Sequence, residues 1–363
     1  MRRRFASALG LAAVLIAAAG AAAWFVTAPR SVTSQVATAV SEPGDPEAGR
    51  NVVTIAGCES CHMSPGQKDP LRLGGGMELK TPFGSFYPSN ISPDPADGIG
   101  KWSAENFANA LMAGVSPLGE HLYPAFPYPS YCRVSIKDVR DLFAFLRTLP
   151  PVSGRAPPNA LKFPFSIRRA VGFWKLLYMP TIDHPLAVDP TGQEPLGRYL
   201  VWGPGHCAEC HSPRDFLGGI IASRRLTGGP LPDGKGKAPN ITAHGLRDWS
   251  ESDITDALST GFTPSGDVLG SAMAAVVRSL SHAPAADLAA IAHYLKTVEP
   301  GATPRVRPRK TGLRVEGLHY IRRLGPPIWP HPLSAEARVL SIPLAHTSMR
   351  STSSSVTSSA RRS

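Results

Sequence analysis

Cys58-Glu-Ser-Cys61-His62 and, 149 positions later, Cys207-Ala-Glu-Cys210-His211 are two copies of one pattern, C-x-x-C-H. Two thiols three residues apart project from one side of a helical turn, where both can form thioethers with the vinyl groups of one porphyrin. The histidine that follows then meets the iron from the proximal side. A structural zinc site would want four ligands, usually two such pairs close together, and these pairs are far apart in the chain. A thiol–disulfide switch needs no histidine directly after its second cysteine. Chance would have to act twice, at matching places in two similar segments. The pattern therefore predicts two covalently attached haems, held by Cys58 and Cys61 and by Cys207 and Cys210, with His62 and His211 as proximal iron ligands.

The surroundings of the motifs repeat as well. A helix over Glu47–Ala56 leads into the first motif, and Leu196-Gly197-Arg198-Tyr199-Leu200-Val201 leads into the second. Asn90-Ile91 matches Asn240-Ile241, Trp102-Ser103 matches Trp249-Ser250, and Leu111 with Gly114 matches Leu258 with Gly261. From Trp102 onward the expected offset is a constant 147. Each repeat closes on a helix. In the first, Ser135-Ile136-Lys137-Asp138 reads as a capping-box start with Asp in place of Glu. Ile136, Val139, Leu142, Phe143 and Leu146 follow at helical spacing, and Pro150-Pro151 stops the run. In the second, Leu288, Ile291, Ala292 and Leu295 share one face of a helix over Asp287–Leu295. The chain is predicted to be mainly α, with repeated haem-binding domains at 45–151 and 197–299.

A haem iron carrying one histidine has a sixth position. Met273, in the small-residue stretch Leu269-Gly270-Ser271-Ala272-Met273-Ala274 before the last helix, is the candidate distal ligand in the second repeat. A thioether there stabilises reduced iron and raises the potential. The 147 offset places Phe126 at the matching position of the first repeat, and a phenyl ring has no lone pair to give. His121, Met112 and Cys132 are the nearby alternatives, and the sequence leaves the choice among them open. The two haems are expected to differ in spectrum and potential.

The net charge of +11 belongs to the ends of the chain: +4 at residues 1–30 and +9 at 301–363, which leaves −2 for 31–300. Nucleic-acid binding therefore has no support from the globular part. Arg2-Arg3-Arg4 precede an apolar run, Phe5–Ala28, interrupted only by the polar residues Ser7 and Thr27. Its 24 residues suffice to cross a hydrocarbon core of roughly 30 Å, which favours an uncleaved anchor at 1–30 over a cleaved signal, although Ala21-Ala22-Ala23 would satisfy a cleavage rule. The arginines hold the N-terminus in the cytoplasm and send the rest of the chain across the membrane. A polar linker occupies 31–44. A proline-rich linker occupies 152–196, and its apolar-aromatic stretch Ala170–Tyr178 reads as a short helix packed between the haem domains, or as a membrane-surface contact. The basic, Ser/Thr-rich tail at 300–363 is expected to be disordered.

With these residues in view, the chain resembles the membrane-associated multihaem cytochrome c subunits of periplasmic dehydrogenases: those of alcohol dehydrogenases, gluconate-type dehydrogenases and molybdenum hydroxylases. The resemblance covers about 45–299. It rests on both C-x-x-C-H motifs, on Thr81-Pro82-Phe83-Gly84 and Asn90-Ile91-Ser92-Pro93-Asp94, and on Gly98-Ile99-Gly100-Lys101-Trp102-Ser103, Leu122–Tyr128 and Ala238-Pro239-Asn240-Ile241-Thr242. It implies two tandem cytochrome c-like domains behind a transmembrane or signal helix. It also implies two haem c groups, and a methionine before the last helix as distal ligand. The chain would be an electron-transfer subunit on the periplasmic side of the bacterial inner membrane, or free in the periplasm if the signal is cleaved. It would accept electrons from a dehydrogenase catalytic subunit and pass them to quinone, a terminal oxidase or another cytochrome. On that reading the chain turns over no substrate alone. The alternative is a dihaem peroxidase-like oxidoreductase with haem 1 as an open site, for which His121 is the one candidate acid–base residue.

Overall fold

The computed structural model describes residues 2–180, 192–231 and 233–300, and the protein is mainly helical. The tail at 301–363 and part of the second linker lie outside the described residues. Helix α1 (Arg2–Val26) contains an 18-residue stretch, Leu9–Val26, of mean hydropathy 2.2, none of it buried in the protein. At a rise of about 1.5 Å per residue it is long enough to cross a bilayer. An anchor and a signal sequence both satisfy that description.

The first half follows as α2 (Ser34–Val40), α3 (Pro46–Ala56), α4 (Glu59–His62), the hairpin β1–β2 (Leu79–Thr81, Gly84–Phe86), α5 (Ala104–Ala113), α6 (Tyr128–Tyr131) and α7 (Ile136–Leu146). Strand β3 (Ala160–Leu161) returns to pair antiparallel with β2, and α8 (Val171–Tyr178) follows. The second half comprises α9 (Gln193–Trp202), a single 3₁₀ turn at Cys207–Glu209, strands β4 and β5 (Gly229–Pro230, Lys237–Ala238), α10 (Glu251–Thr260), α11 (Ala272–Leu280) and α12 (Ala285–Leu295).

Local chemistry sets these boundaries. Asp45 caps α3 by accepting the Glu47 N–H, Pro46 occupies the first turn, and Gly57 ends the helix in the left-handed region at φ 56°. Ser250 and Asp253 form a complete capping box on α10. The box expected at Ser135 forms only in part. Ser135 Oγ accepts the Asp138 N–H, while the Ser135 N–H donates to the Tyr199 hydroxyl (3.1 Å), and that hydroxyl donates to the Asp138 carboxylate. A side chain of α9 thus inserts itself into the cap of α7 and ties the two halves together.

In each half the helix that leads into the motif crosses the last helix at a glycine. A Cβ at Gly49 would overlap the Asp141 carbonyl and lie 2.8 Å from Phe145 Cβ; one at Gly197 would overlap the Ala290 carbonyl and lie 2.7 Å from Tyr294 Cβ. Only hydrogen on the α-carbon lets α3 lie on α7, and α9 on α12, at this distance. Apolar burial gathers in two clusters. One centres on Val52, Val53, Leu111, Leu142 and Leu146, the other on Leu200, Val201, Trp202, Leu288 and Leu295. Ile55 of α3 packs into the second cluster, so the cores meet at that helix.

The constant 147 offset needs correction. It holds through the bridges Val115–His121 and Phe262–Val268, but α7 and α12 are related by 149 at both ends. The two additional residues fall in the intervening stretch, where α6 has four residues and α11 has nine.

Candidate haem-binding sites

Both motifs occupy one turn directly beyond the crossing helices. The His62 N–H donates to the Cys58 carbonyl (2.9 Å), and the His211 N–H to the Cys207 carbonyl (3.0 Å). This turn brings two thiols and an imidazole to one place. No disulfide joins any of the five cysteines, and the four in the motifs are half-buried. Burial pushes the Cys58 and Cys207 thiols up to about 12, and those of Cys61 and Cys210 upward as well.

The imidazoles are held identically. His62 Nδ1 lies 2.7 Å from the Ser89 carbonyl, and His211 Nδ1 lies 2.8 Å from that of Pro239. A carbonyl can only accept, so Nδ1 carries the proton and Nε2 keeps its lone pair. Burial also holds both rings below the usual histidine range, which favours the neutral, ligating form. The repeated Asn-Ile pair explains how those carbonyls are aimed. Asn90 Oδ1 accepts the Ser92 N–H and Asn240 Oδ1 accepts the Thr242 N–H, each at 2.9 Å, which turns the chain just after Ser89 and Pro239. Ile91 N–H then bonds the Leu73 carbonyl, and Ile241 N–H that of Leu226. Sequence reasoning singled out the Asn-Ile pairs but missed the roles of Ser89 and Pro239, which act through backbone atoms that any residue type carries.

Of the candidate distal residues, Met273 lies in the first turn of α11 and is half-buried. Phe126 is also half-buried, packs on the first core, and has its ring centroid 5.5 Å from that of Tyr131. The alternatives for the first site are engaged elsewhere. His121 is buried, with Nε2 2.8 Å from the Thr27 carbonyl at the end of α1. Met112 is buried in the first core. Cys132 is buried with its thiol donating to the Pro129 carbonyl.

The two motif turns abut each other. His206, the residue before Cys207, bonds through Nε2 to the Ala56 carbonyl (3.1 Å), two residues before Cys58. Tyr131 meets the His206 ring edge-on at 5.5 Å. Glu209, inside the second motif, accepts from Ser130 Oγ (2.7 Å) and pairs with Arg214 (2.6 Å). Ser279 of α11 donates to the Thr54 carbonyl of α3 (2.8 Å). The sequence did not show the bonds of His206, Ser130 and Ser279, because each acts across the contact between the repeats and not within one of them.

Two unpaired thiols and an imidazole with its Nδ1 already committed, gathered in one turn, suit thioether attachment and axial ligation of a porphyrin iron. No protein-family model matches the chain. It is 46% identical over 303 residues to a dihaem c-type cytochrome of Cereibacter sphaeroides, an alignment that takes in 82% of this chain and 99% of that relative. It is 38% identical over 256 residues to the fructose dehydrogenase cytochrome subunit of Gluconobacter japonicus, and 35% over 263 residues to the cytochrome c subunit of the quinone-dependent alcohol dehydrogenase of Gluconobacter oxydans. These two alignments take in 69% of this chain and 52% and 54% of the relatives, so the chain spans about half the length of the dehydrogenase subunits. With near-complete coverage of the dihaem relative and the same motif built twice, the chain belongs to the dihaem c-type cytochromes and carries two covalently bound c-type haems.

Proposed function

We propose that the chain is the electron-transfer subunit of a periplasmic dehydrogenase, built as two tandem cytochrome c-like domains at 45–151 and 197–299. Cys58 and Cys61 attach one haem and His62 ligates it; Cys207, Cys210 and His211 do the same for the other, with Met273 as its distal ligand. When bound, the haems supply one-electron transfer between the dehydrogenase catalytic subunit and quinone, a terminal oxidase or another cytochrome. The polypeptide does the rest. The Ser89 and Pro239 carbonyls orient the two imidazoles. The His206–Ala56 and Glu209–Ser130 bonds hold the second attachment turn against the first half, and two apolar cores support the halves. The α1 helix anchors the chain on the periplasmic side of the inner membrane.

The observation that carries this reading is the direct docking of the two motif turns, which an electron relay needs and two independent binding sites do not. The peroxidase-like alternative finds no support. Its one candidate acid–base residue, His121, is buried and engaged by the Thr27 backbone, and a peroxide-cleaving pocket wants a positioned base with a stabilising partner. The test is purification from native membranes. A dehydrogenase catalytic subunit should co-purify, and its substrate should reduce the haem absorption bands. A chain that neither associates with nor accepts electrons from any dehydrogenase would end this reading.

A further inference from the structure

Ten large apolar side chains outside α1 are exposed among the described residues, and eight of them lie in three adjoining segments. Phe163 is 82% exposed, and Phe173, Leu176 and Leu177 of α8 are 52%, 52% and 67% exposed; Leu118 and Phe216 sit at the tips of loops on either side, at 85% and 84%. Phe173, Leu176 and Leu177 fall at i, i+3 and i+4, so they form one stripe of the helix.

The opposite face of α8 is fully engaged. Val171 and Gly172 are buried, Trp174 Nε1 donates to the Leu217 carbonyl (3.1 Å), and Lys175 Nζ donates to the Ala113 and Gly114 carbonyls (2.7 Å each). Tyr178 donates to Asp215 (2.7 Å). The helix therefore grips both halves and turns its apolar stripe outward. Scattered exposed leucines need no explanation, but large apolar side chains gathered in adjoining segments mark a contact surface.

What covers the patch follows from its place beside α1. Arg169 stacks its guanidinium 4.0 Å over the Trp24 ring and donates to the Trp24 carbonyl. Gly172 lies so close to Thr27 that a Cβ would overlap the Thr27 carbonyl. His121 holds that same carbonyl from the Leu118 loop, and Arg168 bonds the His121 carbonyl (3.1 Å). The patch thus lies beside the point where α1 leaves the hydrocarbon, at the level where Trp24 and Phe25 belong in an interfacial aromatic belt. Arg168, which also pairs with Glu120, and Arg169 lie at that point as cations suited to lipid phosphates.

We propose that the α8 stripe, with Phe163 and the Leu118 and Phe216 loops, is seated in the headgroup layer of the bilayer that α1 crosses, so that both haem-bearing halves are held at a fixed height and tilt above the membrane. The proposal rests on the anchor reading of α1 but is separable from it. The bonds from α8 to both halves transmit the seating to the body.

The test uses the full haem-loaded chain in nanodiscs of phosphatidylethanolamine and phosphatidylglycerol carrying a diazirine phospholipid, with labelled peptides mapped by mass spectrometry. Peptides over 163–178 should be labelled comparably with α1 and roughly tenfold above α10. The double substitution Phe173→Glu with Leu177→Glu alters only exposed side chains. It should cut the 163–178 label several-fold while leaving the α1 label and the haem absorption spectrum unchanged. Label confined to α1 would overturn the proposal and leave the anchor intact, whereas absence of label from both segments would sink the anchor and the proposal together. Label excluded from 163–178 by a co-purified dehydrogenase subunit would identify a protein as the occupant and overturn it as well.

Discussion

The two halves agree on the proximal side of their proposed haem sites and part company on the distal side. Each presents an imidazole through an Nδ1 bond to a carbonyl that precedes an Asn-Ile turn, and each crosses its helices at a glycine. Before the final helix they diverge. The second half has a nine-residue helix with Met273 in its first turn, and the first half has Phe126 and Pro127 leading into a single turn of helix. The proximal arrangement depends on backbone hydrogen bonds within one turn and tolerates little change. The distal segment is constrained at its two ends, so its length and its ligand are free to vary. On the proposed ligation, the two halves would share their attachment chemistry and differ in potential.

The largest expected effect falls on that difference. Met273→Ala should lower the potential of one haem by on the order of a tenth or more of the roughly 0.8 V that axial ligation spans, and leave the other unchanged. Phe126→Met should act in the opposite direction on the other haem and draw the two potentials together. Redox titration followed by absorption, with magnetic circular dichroism to count low-spin irons, separates these outcomes. Two indistinguishable low-spin His/Met haems in the unaltered protein would break the comparison at its root.

Much of this arrangement was legible in the sequence. The motifs, the crossing helices and the repeated Trp-Ser and Asn-Ile pairs all rest on spacing within one repeat, and local spacing is what a single chain displays. The contact between the repeats was not legible. His206, Glu209, Ser130 and Tyr199 have ordinary identities, and their partners lie between 61 and 150 residues away. The offset failed for a related reason: 147 was read from positions before the variable segment, and nothing in that segment announces two extra residues. The α8 stripe shows the same limit from the other side. Its composition allowed either a buried linker or a membrane contact, and the ties from Arg169 to Trp24 and from Gly172 to Thr27 place it beside α1.

A smaller effect, and an equal one in the two halves, is expected at the helix crossings. Gly49→Ala and Gly197→Ala each drive a methyl group into the backbone of the facing helix. Each should cost on the order of 1–3 kcal/mol, the usual range for overpacking a well-filled contact. Denaturant unfolding followed separately at the absorption bands of the two haems would measure each crossing. A loss at one glycine and none at the other would mean that the shared geometry carries unequal weight.

The smallest effect is an acid one, and it sets a carboxylate of each half side by side. Asp94 accepts the N–H groups of Asp97 (2.8 Å) and Ala96 (2.9 Å), and Asp253 accepts the Ser250 N–H (2.7 Å) and hydroxyl (2.8 Å). These bonds hold both carboxyls below the usual carboxylate range. A folded-state pKa below the unfolded value of about 3.9 means that the unfolded chain takes up protons first as acid is added. The contribution is therefore complete above about pH 4 and is lost as the pH falls through the folded pKa. Asp94→Asn and Asp253→Asn should each flatten the fall in the urea midpoint below pH 4 and leave its slope near neutrality unchanged. Asp94 is almost wholly enclosed while Asp253 stands at an open helix start, so the flattening should be larger for Asp94, where water competes least for the hydrogen bonds.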